Sequence, residues 1–342
     1  LPSFRRREQE SFDGQHQRSV KCTSKSVVRI FCPAKINLGL KVSPPRTDLY
    51  HEIQSIFLPV SLGDTIKVTE NQQFKLSSNC ANFPTNESNL IHKVCQAYSR
   101  LTQRESLPNY SVFVEKMIPQ EAGLGGGSSN AGVLLRWLDQ HLKTQLSSEQ
   151  LITIAKENGA DIPFFLNPVP AFLSGIGEKI MPAKKRLPEL PVLLVKPSQG
   201  LCTKTIFTTL DQLRESLSHS RNTDSKLDKN IEQENSSQSY QLDCDAVLEA
   251  LNNCDQSLND IAVNDLESPA MAQLPELTSL RSKLKSTDPF YVSMTGSGSC
   301  FYAIYQNVEL RDQAHKKLHD QYPFVECAHI MNQSPFLLGS DS

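Results

Sequence analysis

A chain that uses glycine sparingly has gathered a third of it in one place. Of 15 glycines in 342 residues, five (Gly123, Gly125, Gly126, Gly127 and Gly132) fall within ten positions. The segment reads Pro119-Gln120-Glu121-Ala122-Gly123-Leu124-Gly125-Gly126-Gly127-Ser128-Ser129. Before it, Tyr110 to Lys116 reads as a strand. After it, Ala131, Leu134, Leu135, Leu138 and Leu142 recur at helical spacing, so Ser128 is expected to open a helix. Backbone without Cβ atoms can approach a ligand and turn successive N–H groups toward it. The helix start adds unpaired donors and a partial positive charge, and together these favour a phosphate. The pattern is neither GxxxxGK[ST] nor GxGxxG, which excludes a P-loop NTPase and a dinucleotide-binding Rossmann site.

The length is about twice the ~150 residues of an average domain, so two packed domains or one large core are expected. With 35 Lys and Arg against 37 Asp and Glu, the formal charge is -2, which argues against binding nucleic acid or an anionic membrane through overall charge. No apolar run approaches the ~18 residues of a membrane helix, so a soluble protein is expected. Nine cysteines are scattered without a CxxC pair, which fits free thiols in a reducing compartment better than a zinc ribbon or a disulfide framework.

Residues 1–25 carry six Lys and Arg among Ser and Gln, with neither a periodic apolar face nor the apolar core of a secretory signal. This leader reads as an organelle transit peptide, and Val20-Lys21-Cys22-Thr23 is similar to a plastid processing site. Glu8, Glu10 and Asp13 are more acid than such leaders usually carry, and a polar disordered tail is the alternative.

Order is expected from Val27, where residues 27–42 alternate as a strand pair or strand-and-turn, and residues 53–69 continue in that style with Leu62-Gly63-Asp64 as a turn. Helices are expected over 86–98, 128–142, 147–158, 245–254, 270–285 and 309–319, and further strands at 191–196, 290–294, 300–305 and 324–330. A stretch rich in Pro and Lys at 183–191 marks a domain junction. Residues 214–243 hold too few apolar side chains to order themselves and read as a polar insertion. Strands and helices mix without strict βαβ alternation, so the fold class is α+β. The expected organisation is a leader over 1–25, an N-terminal domain over 26–182, a C-terminal domain over 183–335 and a tail over 336–342.

Eight segments, taken in order, carry a resemblance. They are Pro33-Ala34-Lys35-Ile36-Asn37-Leu38, Tyr50-His51-Glu52, Ser61-Leu62-Gly63-Asp64, Glu87-Ser88-Asn89-Leu90-Ile91, the glycine loop, Gly159-Ala160-Asp161-Ile162-Pro163-Phe164-Phe165, Val263-Asn264-Asp265-Leu266-Glu267 and Met294-Thr295-Gly296-Ser297-Gly298. The set resembles the GHMP kinase superfamily, which includes galactokinase and the homoserine, mevalonate and phosphomevalonate kinases. More narrowly it is similar to the branch whose acceptor is cytidine diphosphate methylerythritol, in the non-mevalonate isoprenoid pathway. The match runs from about Phe31 to about Tyr305.

That resemblance implies a two-domain fold, an S5 domain 2-like N-terminal half and a ferredoxin-like α/β sandwich, with the active site in the interdomain cleft. It implies transfer of the γ-phosphoryl group of ATP to the acceptor's 2-hydroxyl, Mg²⁺ accompanying ATP, and no tightly bound cofactor. Lys35 and Asp161 match the family's catalytic positions: Asp161 would accept the hydroxyl proton, while Lys35 would hold Asp161 ionised and steady the migrating phosphoryl group. Residues 119–129 match the ATP phosphate loop, and Gly296, Ser297 and Gly298 a turn that closes over the phosphates. Asn37, Tyr50, His51 and Phe57 match positions lining the acceptor pocket, where an imidazole and aromatic faces suit a cytosine ring. No metal ligands, nucleic-acid partner or membrane partner are implied.

Some positions depart from the family pattern. Leu49 stands where glycine is usual before Tyr50-His51, Asn130 where an aspartate commonly follows Ser129, Pro168-Val169 where two glycines are frequent, and Ser299-Cys300 where Pro-Thr or Ala-Thr is common. They leave loop geometry and metal coordination open. Two other readings also stay open: a superfamily kinase for mevalonate, homoserine or a sugar, which should not need Tyr50-His51, and a catalytically silent nucleotide-binding protein. The expected location is a plastid if the leader is a transit peptide, and the cytoplasm if it is not.

Overall fold

The computed structural model describes residues 26–222, 240–333 and 337–341. The leader over 1–25 and the larger part of the polar insertion, 223–239, lie outside the described residues. The first sheet is organised by a hairpin of two long strands, β1 (Val27–Pro45) and β2 (His51–Glu70). On β2 lie β4 (Tyr110–Glu115), with β3 (Lys75–Ser78) parallel beside it, and β5 (Ala171–Ser174), followed by β6 (Lys179–Pro182).

Leu62-Gly63-Asp64 does not reverse the chain. Pairing passes from Pro33–Gly63 to Ala34–Val60, so Ser61 and Leu62 form a bulge inside one continuous strand. Glycine is required at 63 by close approach: a Cβ there would lie 2.5 Å from the Phe31 ring and 2.6 Å from the Cys32 carbonyl. One face of this sheet, through Ile30, Ile66, Val112 and Val114, packs on α1 (Leu90–Leu101), α2 (Gly126–Leu142) and α3 (Ser148–Asn158). Asn89 caps α1, its Oδ1 accepting the Ile91 N–H at 2.8 Å, so the helix starts four residues later than residue spacing indicates. Ser147 and Gln150 form a capping box on α3.

The second sheet is antiparallel, in the order β10-β7-β9-β8: β7 (Pro191–Lys196), β8 (Tyr291–Met294), β9 (Phe301–Ile304) and β10 (Phe324–His329). Its helices are α5 (Thr203–Asn222), α6 (Cys244–Asn252), α7 (Leu258–Ile261), α8 (Glu267–Gln273), α9 (Glu276–Lys285) and α10 (Val308–Leu318); α4 (Ile162–Phe165) belongs to the first half. Leu274-Pro275 splits the helix expected over 270–285 into α8 and α9. One sheet face packs on α5, α8, α9 and α10 through Leu193, Val195, Ile206, Leu277 and Ala314. The other, through Val192, Leu194 and Tyr302, meets Ile36, Leu38, Leu58 and Val60 of the first sheet, so an apolar core joins the halves.

Helix α5 corrects the expected insertion, which was to begin at residue 214 but is helical through Asn222. Ile206 and Leu210, one turn apart, are buried, and Arg214 donates to the carbonyls of Val42 at 2.7 Å and Ser43 at 3.3 Å. Residues expected as a tail form β11 (Leu337–Asp341), an edge strand along Val27–Ile30. Among the described residues no helix is long and apolar enough to cross a membrane.

Candidate active site

The glycine loop leaves β4 and enters α2, which starts at Gly126, two residues before the expected Ser128. Gly123 and Gly125 are both left-handed at φ 72°, a conformation that favours glycine. At Gly123 a Cβ would lie 2.0 Å from the Thr295 carbonyl oxygen, so the loop is pressed against the turn that follows β8. Gly125 gives α2 no side-chain cap, leaving the first-turn N–H groups without intrahelical acceptors. Ser129 Oγ is buried and has no hydrogen-bond partner. A hollow of about 320 Å³ lies over residues 118–127, walled opposite by Phe83, Pro84, Ser88 and Leu90. That volume lies in the small-ligand range, and the orphan donors suit an anion.

Lys35 and Asn37 alternate on the same face of β1. Lys35 is buried; its ammonium donates to Asn37 Oδ1 at 2.5 Å, lies 4.6 Å from the centre of the Phe57 ring and sits 3.9 Å from Asp161 Oδ2. Burial lowers the Lys35 pKa below the ordinary lysine value, and the Asp161 carboxylate partly offsets that shift. Asp161 immediately precedes α4, whose four residues are all buried. Phe165 of that turn fills the spaces that Cβ atoms on Gly125 and Gly132 would occupy, each within 2.9 Å, so the Asp161 turn is wedged against loop and helix together. The Asp161 side chain stays one-third exposed. It is an open carboxylate beside a buried ammonium.

The Gly296-Ser297-Gly298 turn closes this group. A Cβ on Gly296 would be 3.4 Å from Lys35 Nζ and 3.3 Å from the Gly123 carbonyl. Ser297 Oγ meets Thr203 Oγ1, at the start of α5, at 2.8 Å. The Thr295 hydroxyl accepts from the Asn37 N–H at 3.3 Å and has the Gly123 carbonyl (3.1 Å) and Asn37 Oδ1 (3.2 Å) as acceptors for its one proton. Asn264 is buried and holds the turn from behind, its amide donating to the carbonyls of Met294 at 2.7 Å and Gly296 at 2.9 Å. Thr295 and Asn264 stood in the recognised segments, but only the fold reveals what they hold.

The four residues read as acceptor-lining are divided. Asn37 and Phe57 lie at the Lys35 end, Phe57 buried with its ring 5.2 Å from Phe164. His51 opens β2, six residues before Phe57 and on the order of 20 Å from it along an extended strand, and Tyr50 immediately precedes His51. Tyr50 is 61% exposed. His51 Nδ1 lies 2.9 Å from the Ser43 carbonyl, Nε2 lies 3.3 Å from Asp211 Oδ2, and the ring lies 5.1 Å from that of Phe207. Phe207 and Asp211 were missed in the sequence; the spacing of Ile206, Leu210 and Leu213 was the available signal for their helix. Leu49 adopts φ 66° in the preceding turn, so a side chain stands in a left-handed conformation, at a cost of roughly 1 kcal/mol. The Asn130 amide turns down to Asp64 Oδ2 at 2.9 Å, beneath the loop.

Phosphate-type donors at a helix start, a lysine–aspartate pair beside them and a second glycine turn above define a class. Residues 89–167 match the family model described as GHMP kinases N terminal domain, and residues 246–323 match GHMP kinases C terminal. The chain has the two-domain α+β fold of the GHMP kinases. It is similar to the chloroplastic 4-diphosphocytidyl-2-C-methyl-D-erythritol kinase of Oryza sativa subsp. japonica, 34% identical over 81% of this chain and 64% of the rice protein's length. The enzyme of that name from Desulfotalea psychrophila is 32% identical over 86% of this chain and 90% of its own. A crystal structure of a 4-(cytidine 5'-diphospho)-2C-methyl-D-erythritol kinase superposes with a TM-score of 0.68 at 28% identity, covering 88% of this chain and 98% of that one. The chain belongs to the 4-diphosphocytidyl-2-C-methyl-D-erythritol kinase family.

Proposed function

We propose that this chain transfers the γ-phosphoryl group of ATP to the 2-hydroxyl of 4-diphosphocytidyl-2-C-methyl-D-erythritol. The observation that carries the reading is the Lys35–Asp161 pair, 3.9 Å apart, with the glycine loop packed against Lys35 and against Phe165 of the turn that follows Asp161. Phosphoryl transfer asks the protein for an oriented nucleophile and neutralised charge rather than covalent chemistry. Asp161, open to solvent, takes the proton of the acceptor hydroxyl. Lys35, held by Asn37 beside the Gly296 turn, balances charge on the attacking oxygen and the migrating group. The N–H groups opening α2 receive the phosphates that remain on the nucleotide.

Mg²⁺ enters as part of the Mg-ATP substrate, for which one or two protein oxygens suffice. The Ser129 hydroxyl, buried without a partner in the first turn of α2, is the spare oxygen that would be available to it. The separation of Tyr50 and His51 from Lys35 suits an elongated acceptor, its base at one end and its reacting hydroxyl at the other. Phe207 joins them as a further aromatic wall. The chloroplastic name of the rice relative, together with the Arg- and Ser-rich leader, supports a plastid location.

The assignment of the acceptor end is tested by His51→Ala. Both ring nitrogens already face partners within the chain, so the substitution removes a stacking face for the base; it raises the acceptor KM by roughly tenfold and leaves the ATP KM unchanged, both read from initial rates of ADP release. Equal effects on the two KM values, or none on the acceptor's, remove His51 from the pocket.

A further inference from the structure

Beneath the glycine loop lies a charged group that the reaction described above does not use. Asp64, in the Ser61-Leu62-Gly63-Asp64 segment of β2, is completely buried. Its Oδ1 accepts the N–H groups of Met117 and Ile118, each at 2.8 Å, where the chain leaves β4 for the loop. Its Oδ2 accepts from Asn130 Nδ2 at 2.9 Å, in the second turn of α2 just past the loop, and from the Lys116 ammonium. That ammonium also donates to Asn130 Oδ1 at 3.3 Å and lies 3.2 Å from the position a Cβ on Gly126 would take, directly under the start of α2.

We propose that Asp64 is a positioning residue for the phosphate loop, fastening its entry and its exit to one buried carboxylate and holding Lys116 beneath the helix start. A buried carboxylate persists only when paired and hydrogen-bonded, and here all of its partners belong to the two flanks of the loop. It touches neither substrate. The position of Asn130 follows from this: its amide can donate to Asp64 and accept from Lys116 at once. The inference rests on the reading of residues 119–129 as the cradle for ATP phosphates.

The test compares the full chain with Asp64→Asn and with the swapped pair Asp64→Asn/Asn130→Asp. In the single variant the new amide presents donors to Lys116 and Asn130, so the flanks part. In the swapped pair the amide carbonyl now at position 64 can still accept the 117 and 118 N–H groups, and the carboxylate now at position 130 faces Lys116. A loop displaced by an ångström costs up to about 10²-fold, so Asp64→Asn is expected to raise the ATP KM about tenfold or more, with the acceptor KM within twofold. The swapped pair is expected to recover an ATP KM within about threefold of the parent. Thermal melts and circular dichroism report the folded fraction. If the single variant does not fold, a folded swapped pair with near-parental ATP KM still supports the proposal, and a swapped pair that is unfolded or weak for ATP overturns it. An unchanged ATP KM in folded Asp64→Asn, or both KM values rising together, overturns it as well. Absence of ATP binding by the parent chain, measured with a non-hydrolysable analogue, strikes instead at the reading of the loop.

Discussion

Asp161→Asn is expected to lower kcat by about 10²–10⁴, the range for removing a positioned general base, with the ATP KM held within a few-fold. The substitution is isosteric, and the turn carrying residue 161 is anchored by Ile162, Pro163, Phe164 and Phe165, all buried, rather than by the carboxylate. The hollow proposed for the nucleotide is lined by the loop and by Phe83, Pro84, Ser88, Asn89 and Leu90, and does not include Asp161. Catalysis and nucleotide binding therefore separate at this residue. If ATP binding were lost while residual turnover stayed normal at saturation, Asp161 would belong to the nucleotide or its metal and not to proton transfer.

Replacing Lys35 with methionine is expected to lower kcat by about 10²–10³, the effect of deleting one aligned electrostatic stabiliser. Methionine keeps the apolar stem against Gly125 and puts an apolar end where the ammonium lay over the Phe57 ring, so the fold is retained. The ranges for Asp161 and Lys35 overlap, and pH dependence distinguishes them. Burial favours the neutral amine, so Lys35 gives up its proton at a lower pH than an ordinary lysine. The protonated form predominates below that lowered pKa, and kcat falls as pH rises through it. The alkaline limb of kcat should lie below the titration of a free lysine in the parent chain and be absent from the methionine variant. An identical limb in both proteins would assign it to another group.

Much of this site was legible in the sequence because its parts are local. The glycine loop is one contiguous segment of unusual composition, whereas Lys35, Asn37 and Asp161 came into view through the resemblance of their short segments to the GHMP kinases. What could not be read was whatever depends on distant segments meeting. Thr295 and Gly123 touch across the two halves of the chain, and nothing in either neighbourhood announces it. Gly63 looked like a turn because glycine marks both chain reversal and close approach; only the Phe31 ring beside it decides between them. The polar composition after residue 213 concealed the last turns of α5, since Arg214 gains its partners from β1 and not from its own helix. Asn130, which stands where the family commonly has an aspartate, answers a carboxylate buried sixty-six residues earlier in the chain.

The most direct test of the account is ADP release by the purified chain from residue 23 onward, with Mg-ATP and four acceptors offered separately: the cytidyl diphosphate methylerythritol, mevalonate, homoserine and galactose. Turnover is expected with the first and none above background with the other three. Turnover on another member with none on the first would contradict the acceptor while leaving the loop and the Lys35–Asp161 pair in place, and silence on all four would contradict the kinase reading itself.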